Sequence, residues 1–566
     1  MSSPAEPPTP HRARRPRLPL AGVLRPARPS DIWFKPASSV VVSAAVPNLI
    51  LLALGRLDLA MYTMAGSLCA LFCHNLPYAA RARTHAWVVV GMVAGLAVGL
   101  LTASLTTAVP VLIAVAALLA AAQKTLCEAT RVGPPGNLVF TFISSATLFA
   151  PQHFGQVPGH LALAAGAGAV AWLVTMAPAL VRPEGPERRA TARALRAAAE
   201  FAATGGTAPG HERARSAAAG AVHAAWQSLL ATGARTPARR SLERLVVRAE
   251  VALAAPEASE PERLRALADS LRGSGPVPHP HDLDGVVDEE LLGVDAELAE
   301  AARRHPLLRA LAPGSALWPI ALRTAIGCAL AGYASYALGV GRPYWAIVTA
   351  ASLYQANVVL TWKRGIQRVV GNLAGVVLFG LISPVADLGP AALVLFCLAF
   401  SFGAEALMSR NYWLGSICVT PMALLITEFA RYQGTGGLMA DRAVDTVLGA
   451  VVGVLAAFLV TNRRASDHIE HALTAVQHAT EAAESALAGP APGSATLEGT
   501  RRTLAGSLVD LRAAVEAASG EWWQRALPQE RVVAAERAGH RTLAATVRRQ
   551  GLRVLEDLRD LEDTTT

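Results

Sequence analysis

AWVVVGMVAGLAVGLLTASL, residues 86–105, runs for twenty positions without a charged side chain. A hydrocarbon core about 30 Å thick is crossed by about 20 apolar residues rising 1.5 Å each. This stretch therefore has the length and chemistry of a membrane-spanning helix. Comparable stretches occupy 36–55, 59–80, 107–123, 137–151 and 159–181. After a polar interval they resume at 317–340, 343–361, 366–384, 388–408, 412–430 and 442–461. The stretch at 137–151 is short, contains Ser144, Ser145 and Thr147, and follows Gly133-Pro134-Pro135-Gly136, which regular helix does not accommodate. It is expected to be broken or partly re-entrant. The expected fold class is an all-α membrane protein with about 12 transmembrane helices in two parallel six-helix halves.

Composition agrees. The 566 residues are 52% hydrophobic and 16% charged, with mean hydropathy +0.35, whereas soluble domains carry about 25% charge. The formal net charge is +9, and Lys35, Lys124 and Lys363 are the only lysines. The arginines cluster beside apolar spans, where membrane topology accounts for them, so nucleic-acid binding is excluded as the reading of the high pI. Cys69, Cys73, Cys328, Cys397 and Cys418 fall within apolar spans and Cys127 within a basic loop, with no placement for an external disulfide. Residues 1–35 lack an apolar signal region and read as a basic disordered arm.

Loop charge sets the orientation. Arg12, Arg14, Arg15, Arg17, Arg25 and Arg28 mark the arm as cytoplasmic. Arg81 and Arg83, Lys124 and Arg131, Arg182, Lys363 with Arg364 and Arg368, Arg410, and Arg463 with Arg464 then follow every second span. The outer loops hold little more than Arg56, Arg342, Arg431 and Arg442. Both termini are thus expected in the cytoplasm of a multi-pass protein of the plasma or inner membrane. The expected divisions are 36–181, a cytoplasmic helical domain at 182–316, 317–461, and a C-terminal cytoplasmic helical region at 462–566. Ile469, Leu473 and Val476, and again Val547, Val554, Leu558 and Leu561, form apolar stripes that need a partner surface. An offset of 280 places Arg83 on Lys363, Gly91 on Gly371 and Gly95 on Gly375, as a parallel internal repeat would. Such repeats hold their substrate at the interface between them.

The most distinctive segments are Pro343-Tyr344-Trp345-Ala346-Ile347-Val348-Thr349-Ala350, Arg368-Val369-Val370-Gly371-Asn372-Leu373-Ala374-Gly375 and Arg442-Ala443-Val444-Asp445-Thr446-Val447-Leu448-Gly449. In order and spacing they resemble the fusaric acid resistance family and its aromatic acid exporter relatives. Asn372 stands where that family often has Thr. The resemblance covers about 315–462 and is weak over 36–181. It implies efflux or anion permeation through six-helix units, with a malate-type anion channel as the nearest alternative. A membrane-anchored helical interaction module is a third reading, prompted by the large soluble share.

Individual residues carry paired readings. Arg323, inside an apolar span, either pairs a substrate carboxylate in a guanidinium fork or snorkels to the interface. Arg368 is either a second anion contact or a loop anchor. Gln355 and Asn357, with His74 and Asn75 as rough counterparts, either bind substrate or join helices. Glu405 and Asp445 are candidates for proton coupling, or members of local ion pairs. Tyr344 and Trp345 either form an interfacial aromatic belt or line a substrate entrance. Cys69 and Cys73, placed on one helix face beside His74, lack a fourth ligand and read as packing, and His279 and His281 read as linker. No phosphate loop, His-Glu-x-x-His or Gly-x-Ser-x-Gly occurs. The expectation is a transporter and not an enzyme, with no cofactor and no metal. Its expected partners are membrane lipid, a small organic anion such as an aromatic carboxylic acid, and a second copy or an accessory efflux subunit.

Overall fold

The computed structural model describes residues 18 and 20–565, apart from 131, 207–209, 232–235, 274, 278–316, 356, 431–434, 461–464, 490–493 and 520–527. His279, His281, Arg131, Arg431, Arg463, Arg464 and the arm arginines Arg12, Arg14, Arg15 and Arg17 lie outside the described residues, as do the side chains of Val547, Val554, Leu558 and Leu561. Every regular element among the described residues is helical. The chain divides into two compact units, one built from Arg17–Pro183 with Arg304–Asn462, the other from Glu184–Arg303 with Arg463–Thr566.

The apolar unit holds α1 Phe34–Ala53, α2 Ala60–Ser67, α3 Tyr78–Leu105, α4 Val109–Thr130, α5 Asn137–Leu148 and α6 Val157–Met176. The second unit's α7 Gly185–Ala203, α8 His211–Ala231, α9 Pro237–Ala254 and α10 Pro261–Ser270 come next in the chain. The apolar unit then continues with α11 Leu317–Ala337, α12 Tyr344–Leu353, α13 Val358–Ile382, α14 Pro390–Met408, α15 Tyr412–Ala430 and α16 Thr435–Leu459. Among the described residues eight helices are long and apolar enough to cross a membrane: α1, α3, α4, α6, α11, α13, α14 and α16. The other four apolar helices are shorter, at Leu57–Leu71, Asn137–Leu148, Tyr344–Leu353 and Tyr412–Ile426. They take the second and fifth place in each group.

Two breaks fall earlier than hydropathy places them. The helix within 59–80 stops at Leu71, and α3 starts at Tyr78 rather than near 86. The helix within 343–361 stops at Leu353, and α13 starts at Val358 rather than near 366. Pro77, without an N–H, occupies the N-cap of α3. Asn357 caps α13, its Oδ1 accepting from the Leu360 N–H at 2.9 Å. Cys73 lies in the first break at φ 67°, so it does not share a helix face with Cys69. Arg81, Arg83, Lys363, Arg364 and Arg368, read as loop residues, are helical. Lys124 and Cys127 lie in α4, and Arg442 lies in α16.

Packing in one group recurs in the other. α3 packs on α5 and α6 as α13 does on α15 and α16. The pairs α2–α6 and α12–α16, and α1–α6 and α11–α16, correspond likewise. Across the groups α4 meets α11 where α14 meets α1, and α5 meets α12 where α15 meets α2. Gly371 and Gly375 let α13 approach α15: a Cβ on Gly371 would lie 2.5 Å from the Trp413 carbonyl oxygen. Residues from Leu20, expected in a disordered arm, are instead held in turns against α13 and α15.

In the second unit the two segments read as separate regions form one compact body. α17 Ala465–Ala488, α18 Ser494–Ser519 and α19 Gln529–Thr565 join the central helices through α8–α18 and α9–α19. Ile469, Leu473 and Val476 are buried in its core. Buried ion pairs Arg501–Glu250 and Arg215–Glu536, each at 2.7 Å, link the segments.

Candidate functional site

The residues singled out from sequence do not all converge. Arg323 is buried in α11, and its Nε donates to the Val460 carbonyl at 2.9 Å, at the carbonyl end of α16. That is where a cation meets both a helix dipole and unsatisfied carbonyls. His74 Nε2 lies 2.7 Å from the Ala70 carbonyl and Asn75 is exposed, both in the first break rather than inside a helix. Gln355 Nε2 donates to the Tyr354 carbonyl at 3.2 Å, and Asn357 is the α13 cap. Asp445 is fully buried, its Oδ1 accepting from Ser335 Oγ at 2.6 Å.

Arg368 and Glu405 line one largely apolar cavity. Its wall includes Phe142 of α5, Trp345 of α12, Ser401 of α14 and Arg442 of α16. Trp345 and Tyr344, whose sequence reading included an interfacial belt, are buried, at 1% and 6% exposure. The rings of Phe142 and Trp345 stack at 5.5 Å and 24°. Over the Trp345 ring, 3.8 Å from its centroid, sits the guanidinium carbon of Arg442. Cation and ring attract by about 2 kcal/mol or more when both are desolvated.

The two arginines differ in how their donors are used. Arg368 Nη1 donates to Tyr412 Oη at 2.9 Å, and the same ring carries Arg364 at 3.5 Å. Arg368 Nε is buried without a hydrogen-bond partner. Arg442, at 1% exposure, leaves both Nε and Nη1 without one. A buried guanidinium with open donors in an apolar wall is suited to an anion that brings its own oxygens. Sequence reasoning had set Arg442 beside an outer loop. Its signal was the acid three residues on, Asp445, within an apolar helix, where ionisable residues are costly and functional.

Residues 328–456 match the model of the "Fusaric acid resistance protein-like" family. The match contains all three segments from which the resemblance was drawn, together with Trp345, Arg368, Glu405 and Arg442. A Bacillus subtilis protein described as "Uncharacterized membrane protein YvaC" is 36% identical over 130 residues, 22% of this chain and 20% of its own length. A Haemophilus influenzae "Uncharacterized protein" is 30% identical over 128 residues, 22% of this chain and 17% of its own. The chain thus covers about a fifth of the length of these curated relatives. No solved structure matches. With its apolar helices and these similarities, the chain is a multi-pass membrane protein whose residues 328–456 are similar to the fusaric acid resistance protein-like family.

Proposed function

We propose that the chain is a secondary transporter that exports small organic anions, aromatic carboxylates among them, through the cavity beside Arg442. The observation that carries this is the pair of open donors on Arg442, held by a ring in a chamber lined mainly by apolar side chains. A carboxylate fits the guanidinium fork, and a flat apolar body fits the Phe142–Trp345 stack. Arg368 supplies a second positive charge on the same wall. Glu405, which lines the cavity, and Asp445, one helical turn beyond Arg442, are the groups for proton coupling.

The same reading takes the two groups of six helices as parallel halves related by a pseudo-two-fold axis. The recurring helix pairings and the matched positions of the short helices support it. It keeps both termini on the cytoplasmic side of the plasma or inner membrane, where Arg25, Arg28, Arg182 and Arg410 gather.

The test is flux in vesicles containing the purified full chain. Saturable movement of benzoate-class acids, and none of the matching neutral amides, is expected. Flux no greater than in protein-free vesicles across a broad panel of such acids would defeat the proposal.

A further inference from the structure

We propose that the cavity selects amphoteric aromatic acids, which carry a carboxylate at one end and an ammonium group at the other, and that Glu405 receives the ammonium. The inference rests on the cavity being the substrate site, as proposed above, and it narrows the class of substrate.

The charges on the cavity wall are not spent on one another. Arg368, Glu405 and Arg442 are its ionisable side chains, and apart from them and Ser401 the lining is apolar or aromatic. Opposite charges attract strongly in surroundings of low dielectric, so an acid sharing such a cavity with two arginines has every reason to pair with one of them. Glu405 does not. Among the described residues its carboxylate makes no hydrogen bond and no ion pair. Arg368 gives Nη1 to Tyr412 Oη, and Arg442 rests on the Trp345 ring.

Local structure holds the acid in place. Ser401, Ala404, Glu405 and Met408 line the cavity at the i, i+3, i+4, i+7 spacing of one helix face. Glu405 is therefore presented by regular turns of α14, while the arginines come from α13 and α16. Ser401, one turn before Glu405, donates its hydroxyl to the Cys397 carbonyl of its own helix at 2.7 Å.

A simple carboxylate answers only half of this arrangement. It brings acceptors to Arg442 and leaves Glu405 as it was. An ionised carboxylate in an apolar wall is costly unless its charge is met. An ammonium group meets it with three donors and a charge-assisted bond. The flat body joining the two ends suits the Phe142–Trp345 stack. A proton meets the same charge when no such ligand is bound, which leaves Glu405 its coupling role.

The experiment compares para-aminomethylbenzoate with para-ethylbenzoate, two acids of the same size that differ at the tip by an ammonium in place of a methyl. Apparent affinity is read from the melting shift of the purified full chain in detergent, and flux from vesicles containing it. The parent should prefer the amine-bearing acid about 10- to 150-fold, the worth of one charge-assisted hydrogen bond. Glu405→Gln, which keeps the shape and removes the charge, should bring that ratio close to one. A ratio taken within one chain is insensitive to what the variant does to coupling. Equal affinity for the two acids in the parent overturns the proposal, and this arm needs no variant, so it decides if Glu405→Gln fails to fold. A preference that survives in folded Glu405→Gln also overturns it. If the parent moves both acids equally well, the transport reading stands and the amphoteric one falls. If it binds the amine-bearing acid preferentially yet moves neither, recognition by Glu405 stands and the transport reading falls.

Discussion

Replacing Arg442 by Met should leave the protein as stable as the parent or more so while crippling its transport. The opposed signs make this substitution informative. Arg442 is 1% exposed, and its Nε and Nη1 have no partner. Each unsatisfied buried donor costs about 1–3 kcal/mol, and the uncompensated buried charge costs more. Against this stands the contact with Trp345 at 3.8 Å, about 2 kcal/mol when desolvated. Methionine fills the volume flexibly without polar atoms. The balance favours the variant by roughly 2 kcal/mol. On the functional side, a charge-assisted hydrogen bond to a bound carboxylate is worth about 1.5–3 kcal/mol, which raises the apparent KM roughly 10- to 150-fold when lost. Arg442→Lys, which keeps the charge but not the fork, should fall between. The assays are thermal unfolding of the purified chain in detergent and the concentration dependence of flux in vesicles. A variant that melts well below the parent yet keeps its KM would refute the argument. Arg442 would then be a packing residue whose open donors carry no functional meaning.

Three further outcomes follow from the packing of the two units. Gly371→Ala should destabilise the chain by about 1–3 kcal/mol through overpacking, because the new Cβ would lie 2.5 Å from a backbone oxygen; Gly166→Ala, with nothing within 4 Å, should be silent in the same melting experiment. Arg501→Met should cost about 3–5 kcal/mol by leaving the buried Glu250 with the Trp226 N–H but without its cation, and Glu250→Met in the same chain should restore most of it, as read by protease sensitivity of the second unit. Burial, with the Arg215 charge, pushes the His540 imidazole down to about 4. Below about pH 6.5 the unfolded chain therefore binds a proton that the folded chain refuses, and stability falls as pH drops toward 4, by at most about 1.4 kcal/mol per pH unit. Burial holds the Glu250 carboxyl above its usual range, which acts in the opposite sense. The difference between parent and His540→Gln isolates the histidine, and parallel pH profiles for the two would contradict it.

How much was legible follows from what hydropathy measures. Apolar runs located every long helix of the membrane unit, because composition alone decides whether twenty residues suit hydrocarbon. The same averaging treats an arginine as a terminator. It pushed Arg81, Arg364, Arg368 and Arg442 toward loops, and it misplaced both breaks, which depend on one proline and one capping asparagine. It also could not see that the central and C-terminal helices form one compact unit, since pairs such as Arg501–Glu250 lie 251 residues apart.

The buried arginines then sort by what occupies their donors, which no spacing reveals. Arg81 gives hydrogen bonds to the carbonyls of Cys73, His74, Leu76 and Thr175 and so stitches the first break to the end of α6. Arg323 serves Val460 at the end of α16, the corresponding place in the second group. These two stabilise helix ends, where carbonyls lack partners. Arg368 is divided between Tyr412 and the cavity. Arg442 has a ring beneath it and no acceptor for two of its nitrogens. Arg323 drew notice because it sat within an apolar run, yet the same intramembrane cost applies to all four. An arginine with open donors gains most by meeting an anionic ligand, and Arg442, with two nitrogens unpartnered against one on Arg368, is the stronger candidate of the pair.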